Sequence, residues 1–338
     1  MRNILIALAF ALVAVPVQAR DQIRVVGSAT VYPFTSAVAE TYARSTHAKA
    51  PAVEITGTVA GIDQFCAGLG ERYPDIVNAS RRMRAAEMEH CAKNGITGIT
   101  ELTIGYDGIV LAARRGPKPL ALTRTQLWRA LAAKVPANGR IIDNTAETWK
   151  QIDPALPDSR IEVLGPPPTS GTRDVFMDLV MHASCLDDSA IAALAPAERQ
   201  TACSGALRED GHYVEAGEYY NLIVQRLMAS RGQPLGLFPF SYLAQNAAQV
   251  EGVAIDGVTP GQEAIASGRY ALARPLYVYV KQAHIGLIPG ITEFLTEYIG
   301  ESALGPSGYL AARGLVPLAA TDRSRQAALV ADLVPRRR

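Results

Sequence analysis

The stretch Gln22-Ile-Arg-Val-Val-Gly-Ser-Ala-Thr-Val-Tyr-Pro33 sets the pattern for the whole chain. Residues 22–26 are a short β-rich run that ends at Gly27. After the turn, Phe34, Ala37, Val38 and Tyr42 recur at helical spacing, so the segment reads as strand, turn, helix. The turn itself holds a glycine and two hydroxyl residues, Ser28 and Thr30. A helix N-terminus carries free N–H groups and a partial positive charge, so it favours an anion. Glycine lets backbone approach a ligand, and hydroxyls add donors without adding charge.

The same unit recurs downstream. Residues 53–56 read as a strand, followed by Gly57-Thr-Val-Ala-Gly61 and a helix from about Ile62 with Ile62, Phe65, Cys66 and Leu69 on one face. Residues 75–78 read as a third buried strand and lead into Asn78-Ala-Ser-Arg-Arg82. Residues 99–104 and 108–113 are two apolar runs joined by Tyr106-Asp107-Gly108. Thr123 caps a helix that buries Leu127, Trp128 and Leu131. Residues 161–164 end at Gly165-Pro-Pro-Pro168, and Thr169-Ser-Gly-Thr172 then opens a helix with Val175, Phe176, Leu179 and Val180. Leu222, Ile223, Arg226 and Leu227 mark another helix, residues 235–238 and 276–280 are later strands, and Ile291–Ile299 is a late helix. Leu329, Val330 and Leu333 suggest that part of the tail packs as a helix.

Alternating strands and helices imply an α/β fold with two mainly parallel sheets, each covered by helices. Two domains fit 338 residues at roughly 100–200 residues each. No low-complexity linker separates them, so the lobes are expected to share more than one crossing strand and to hinge.

Composition excludes other classes. Apolar residues make up 49% and charged residues 19%, enough for a full core and too little charge for a disordered chain. Lys+Arg is 33 against 32 for Asp+Glu, a net charge of +1, so the basic excess of a nucleic-acid binder is missing. The one basic run, Arg336-Arg-Arg338, reads as a solvated tail. Arg2, the apolar residues 4–15 and Val17-Gln-Ala19 read as a signal peptide cleaved near Ala19, with the mature chain starting near Arg20. The apolar run is too short for a span of about 20 residues. No cysteine lies near the cleavage site, which argues against a lipid anchor. Export fits the four cysteines, Cys66, Cys91, Cys185 and Cys203. Of three connectivities, Cys66–Cys91 and Cys185–Cys203 close the short loops and stay inside one lobe each, worth about 3 kcal/mol apiece. A zinc site lacks C-x-x-C spacing, the five histidines are scattered, and no metal or cofactor is expected.

Several segments, taken in order, carry a resemblance. They are Gly27-Ser-Ala-Thr-Val-Tyr-Pro33, Asn78-Ala-Ser-Arg81, Tyr106-Asp-Gly108, Ser170-Gly-Thr172 and Ala273-Arg-Pro-Leu-Tyr-Val-Tyr-Val280. Together, over about residues 22–318, the chain resembles the periplasmic phosphate-binding proteins of bacterial ABC phosphate importers. The resemblance implies a hinged two-lobe periplasmic-binding-protein fold of type II, with phosphate held between the lobes. It implies lobe one as 20–105 plus 276–338 and lobe two as 106–275. By similarity Ser28, Thr30 and the Val31 N–H bind from the first turn, Ser80 and Arg81 from the fourth segment, and Ser170, Gly171 and Thr172 from the other lobe. The implied partner is an inner-membrane permease, the implied place is the periplasm, and a monomer is expected.

The chain also departs from that family. Some members have a serine where Val59 stands, so here only backbone N–H groups or Thr58 serve the second turn. Some carry an aspartate where Arg81 stands, or an arginine where Pro166 stands. In Glu215-Ala-Gly-Glu-Tyr-Tyr-Asn221, Tyr219 and Tyr220 replace two small polar residues. Selection of phosphate over sulfate needs a carboxylate that accepts the phosphate proton and faces sulfate unpaired. Asp107 is the candidate, with Asp63, Asp174 and Glu218 as alternatives, and the rival reading of Asp107 is a plain turn residue. An exported phosphatase would need a nucleophile with a base, or metal ligands, and no G-x-S-x-G or H-E-x-x-H is present. A binder of sulfate, molybdate or tungstate, or a phosphate sensor without a transporter, stays open.

Overall fold

Strand β1 (Arg24–Gly27) pairs in parallel with β2 (Ala52–Ile55) on one side and β3 (Ile76–Ala79) on the other. The computed structural model that reveals this describes residues 20–116, 120–137, 140–203 and 205–333. The expected signal peptide and the terminal arginine run lie outside the described residues. Side chains alternate across the sheet, so Val25 and Ile76 enter one core while Val26 and Val77 enter another. The first core is closed by α1 (Tyr32–Thr46), which buries Phe34, Ala37, Val38 and Tyr42 at the spacing read from sequence. The second is closed by α2 (Thr58–Cys66) and α3 (Ala85–Lys93), tied together by the Cys66–Cys91 disulfide.

Helix α2 begins a turn earlier than its apolar periodicity suggests. Gly57 (φ +82°) makes the sharp entry, and Gly61 lies so close to β1 that a Cβ there would sit 2.5 Å from Gly27 Cα. Leu69, expected on the buried face, falls beyond the helix and is 41% exposed.

Two long strands join the lobes. β4 (Ile99–Arg114) runs unbroken through Tyr106-Asp107-Gly108, where the sequence suggested a joint between two strands. The reason is its antiparallel partner: a late strand, Ala273–Lys281, pairs from Gly108 back to Ile99. The ladder has a register shift between Leu276 and Tyr277, at the level of Gly105 (φ +155°). In the second lobe β5 (Val163–Gly165) lies between β6 (Tyr213–Glu215) and β7 (Leu235–Pro239), parallel to both. β7 and β8 (Val250–Gly252) pair antiparallel with β4, so in place of the two expected sheets nine strands form one continuous mixed sheet. The late strand Ala273–Lys281 is β9. Two sets of parallel strands are thus linked by an antiparallel crossing pair.

The cores divide accordingly. Apart from Ala29 and Val316, the largest buried cluster runs from Ile109 to Leu272, while the other two draw on residues 23–104 and 276–330. The second disulfide, Cys185–Cys203, lies in the first of these clusters. The tail forms a helix, Ala320–Ala331, that buries Gln326 and Val330 and leaves Leu329 outside.

At the amino ends of β1 and β3, Asp75 is fully buried. It accepts from the Arg20 guanidinium at 2.7 and 2.9 Å, from the Arg24 N–H at 2.7 Å and from His284 Nδ1 at 2.6 Å. Burial alone would raise its pKa, but His284 and Arg20 outweigh it and hold the carboxyl below its ordinary value. A depressed folded pKa gives stability above the unfolded value of about 3.9, lost as pH falls through the folded one. Asp75→Asn is therefore expected to lose about 3 kcal/mol or more at neutral pH in urea unfolding, and the gap to wild type should close at acid pH.

Candidate functional site

The hydroxyl-rich turns all lie at the carboxyl ends of their strands and face the space between the lobes. Gly27 (φ +125°) lets Asn78 approach, since a Cβ there would be 2.2 Å from the Asn78 carbonyl oxygen. Ser28 Oγ accepts from the Thr30 N–H at 3.2 Å. The Val31 N–H donates to the Ser28 carbonyl at 3.2 Å, so it closes the turn. Thr58 and Ser80 form a pair: their hydroxyls are 3.1 Å apart and the Ser80 N–H donates to Thr58 Oγ1 at 3.2 Å. Val59 contributes its N–H, which reaches the Thr169 carbonyl of the other lobe at 3.4 Å.

From lobe two comes the helix α4 (Gly171–Phe176), which runs on through a π turn, Met177–His182, into Ala183–Asp187. Ser170 caps it, accepting from the Thr172 N–H at 3.2 Å. The lobes meet here. Thr30 Oγ1 and Thr172 Oγ1 are 3.1 Å apart. A Cβ on Gly171 would lie 2.4 Å from Ser80 Oγ and 2.5 Å from Thr58 Oγ1. Ser28, Thr30, Thr58, Ser80, Ser170 and Thr172 are all buried.

The charged centre sits on the crossing strands. Arg274 of β9 and Asp107 of β4 are direct partners in the ladder, with Nη2 and Oδ2 3.5 Å apart. Arg274 Nη2 also donates to Thr172 Oγ1 at 2.8 Å and Thr30 Oγ1 at 3.2 Å, and Nη1 donates to the Gly171 carbonyl at 2.9 Å. Its Nε is buried without a partner among the described residues. Asp107 Oδ1 accepts from the Ser241 N–H at 3.3 Å, at the start of a helix, Phe240–Gln245. Burial pushes the Asp107 carboxyl up to about 6, against the pull of Arg274 and Ser241. Burial also lowers the pKa of Arg274.

Tyr220 opens the helix Tyr220–Ala229 and sends its hydroxyl to Thr172 Oγ1 at 2.7 Å and Ser170 Oγ at 3.1 Å. Its neighbour Tyr219 is 66% exposed, so only one of the two tyrosines faces the cleft. Arg81 stands at the rim. Its guanidinium is shared between Glu87 (2.7 and 2.8 Å), Asp174 of lobe two (2.9 Å) and the Arg82 carbonyl (3.0 Å). Burial opposes its charge, but the two carboxylates outweigh that and raise its pKa. Of the alternative carboxylates, Asp63 is exposed and lies 3.4 Å from His90, and Asp174 is bound to Arg81. Glu218 accepts from the Thr169 hydroxyl at 2.9 Å opposite Gly57, and burial raises its pKa. Asp107 is the carboxylate paired with Arg274, whose guanidinium reaches the Thr30 and Thr172 hydroxyls.

Arg274 and Ser241 are the residues that reading the sequence for sites missed, while Tyr220 stood out there only as a departure from the family pattern. Arg274 stands in a quoted segment but carries no local mark of its role; only its pairing with Asp107 places it.

Residues 14–302 match the family model described as a PBP superfamily domain. The chain is 29% identical over 297 residues to Protein SphX of Synechocystis sp., covering 85% of this chain and 77% of that protein. It is 26% identical over 314 residues to the phosphate-binding protein PstS of Staphylococcus saprophyticus, covering 91% and 84%. Among solved structures it is similar in fold to an ABC-type phosphate transport receptor from Vibrio cholerae, with TM-score 0.58 and 18% identity over 87% of this chain and 99% of that one.

Carbon-13 titration of the aspartate carboxyls should place the Asp107 midpoint near 6. Arg274→Met removes the cation that pulls it down, so the midpoint should move higher; an unmoved or lower midpoint would refute the pairing.

Proposed function

Because this chain belongs to the PBP superfamily, we propose that it is an exported solute-binding protein that captures inorganic phosphate between its lobes and delivers it to an ABC importer. The observation that carries the reading is the convergence of buried hydroxyls from both lobes on Arg274. Relatives named as phosphate-binding proteins over most of the chain support it.

In this reading Thr30, Thr58, Ser80 and Thr172 turn their protons to the phosphate oxygens, with Ser28, Val31, Ser170 and Gly171 shaping the turns. Arg274 supplies the buried positive charge. Its hydrogen bonds to an anion are charge-assisted and stronger than neutral ones. Asp107 accepts the proton that hydrogen phosphate carries. Sulfate brings no such proton, so it would face a buried carboxylate unpaired, at a cost of about 1–3 kcal/mol or more. Arg81, through Asp174, ties the closed lobes at the rim, its charge taken up by Glu87 and Asp174.

We place the lobes at 20–105 plus 276–338 and at 106–275, a division favoured by the split of the buried clusters. The hinge is then the crossing pair near Gly105 and Leu276. Export past a leader ending near Ala19 fits the two disulfides, and no described helix is long and apolar enough to cross a membrane. Ser170, the serine at the centre of the site, pairs with the Tyr220 hydroxyl.

Isothermal titration calorimetry on the mature protein, stripped of ligand, tests this with phosphate, sulfate, arsenate, molybdate and tungstate. Tight one-to-one phosphate binding is expected; submicromolar affinity corresponds to about 8 kcal/mol. Arg274→Met should weaken it by about 100-fold or more, since two charge-assisted bonds are lost. Asp107→Asn should narrow the margin between phosphate and sulfate. Heat from molybdate or sulfate alone would change the substrate, and no heat from any oxyanion would sink the assignment.

A further inference from the structure

Tyr220 is 1% exposed, and its ring meets Tyr242 edge-on at 5.1 Å. Its hydroxyl stands between those of Ser170 (3.1 Å) and Thr172 (2.7 Å). A hydroxyl has one proton and two acceptor sites. Arg274 already fills one acceptor site of Thr172, at 2.8 Å. If protons run from Ser170 to Tyr220 to Thr172, the phenol fills the other. Thr172 is then left with a proton and no acceptor site, and that proton points toward Thr30 and the opposite lobe, 3.1 Å away. An oxyanion whose oxygens nearest Thr172 carry no proton selects this direction, because those oxygens can only accept. Bonds in such a chain polarise one another, so the last one is strengthened.

We propose that Tyr220 is a positioning residue for ligand selection. It completes a three-hydroxyl relay that makes Thr172 an obligate donor and removes a proton acceptor from the cleft. The inference rests on the oxyanion reading of the site. Its consequence concerns protonation of the ligand: with Thr172 unable to accept, a phosphate carrying one proton can be matched at Asp107, and a phosphate carrying two is poorly matched. The groups around Tyr220 are Arg274 from β9, Glu218 before its own helix, Tyr213 from β6 and Tyr242 from the helix Phe240–Gln245, with Asp107 and Tyr32 beyond Tyr242. Tyr220→Phe keeps all of them and the ring contact, so a difference from wild type isolates the hydroxyl.

The test is phosphate calorimetry on wild type and Tyr220→Phe from about pH 5 to about pH 8, with thermal unfolding to confirm both fold. Tyr220→Phe is expected to bind about 10-fold more weakly at the alkaline end. The deficit should shrink toward the acid end, where the freed Thr172 oxygen can accept the second phosphate proton. Thr172→Val should remove the same pH-dependent part of the affinity, and adding Tyr220→Phe to it should change nothing further. Equal affinity of Tyr220→Phe and wild type, or an equal loss at every pH, would overturn the relay and leave a packing role. A wild type that gives no heat with phosphate at any pH would instead overturn the phosphate reading, and the proposal with it.

Discussion

Arg274 and Asp107 face each other across the two strands that join the lobes, and the site is assembled around that pair. Neither charge is comfortable. Removal from water pushes the carboxyl up to about 6 and the arginine below its usual range. At 3.5 Å their mutual attraction offsets only part of the desolvation. The Nη donors of Arg274 also go to Thr30 of one lobe and to Gly171 and Thr172 of the other. One guanidinium therefore touches both walls of the cleft from the place where the walls join.

Much of this was legible in the sequence because it is local. The apolar spacing of Phe34, Ala37, Val38 and Tyr42, the hydroxyl turns, and the short cysteine loops each follow from a few neighbouring residues, and each appears in the fold. What was not legible depends on pairing between distant segments. Tyr106-Asp107-Gly108 has turn composition, yet β9 lies alongside and holds it extended. Arg274 precedes a proline at the start of an apolar strand, a context that fits a solvated arginine equally well. Tyr220 reads as a departure from a family pattern, and nothing near it in sequence says whether it faces the cleft or, as Tyr219 does, the solvent. Helix α2 starts early because Gly61 rests on Gly27, a contact invisible to periodicity.

The rim follows a different logic from the centre. There the lobes are joined by full charges at the edge of solvent: Arg81 with Asp174, and Arg84 3.5 Å from the same carboxylate. Inside, apart from Arg274, they are joined by neutral groups, the Thr30–Thr172 hydroxyls and the Val59 N–H on the Thr169 carbonyl. Salt screens the first kind of contact much more than the second. Neither disulfide crosses the cleft, since each closes within one buried cluster, so no covalent strap limits the opening of the lobes.

Gly171 has the last word on how far the lobes can approach. A single added carbon would press on two hydroxyl oxygens of the opposite lobe, Ser80 Oγ and Thr58 Oγ1. Position 171 is thus a mechanical stop whose thickness is set by one side chain. Residues of graded size there would act as shims, turning a capture device with one closed form into a series of gauges held ajar by known increments.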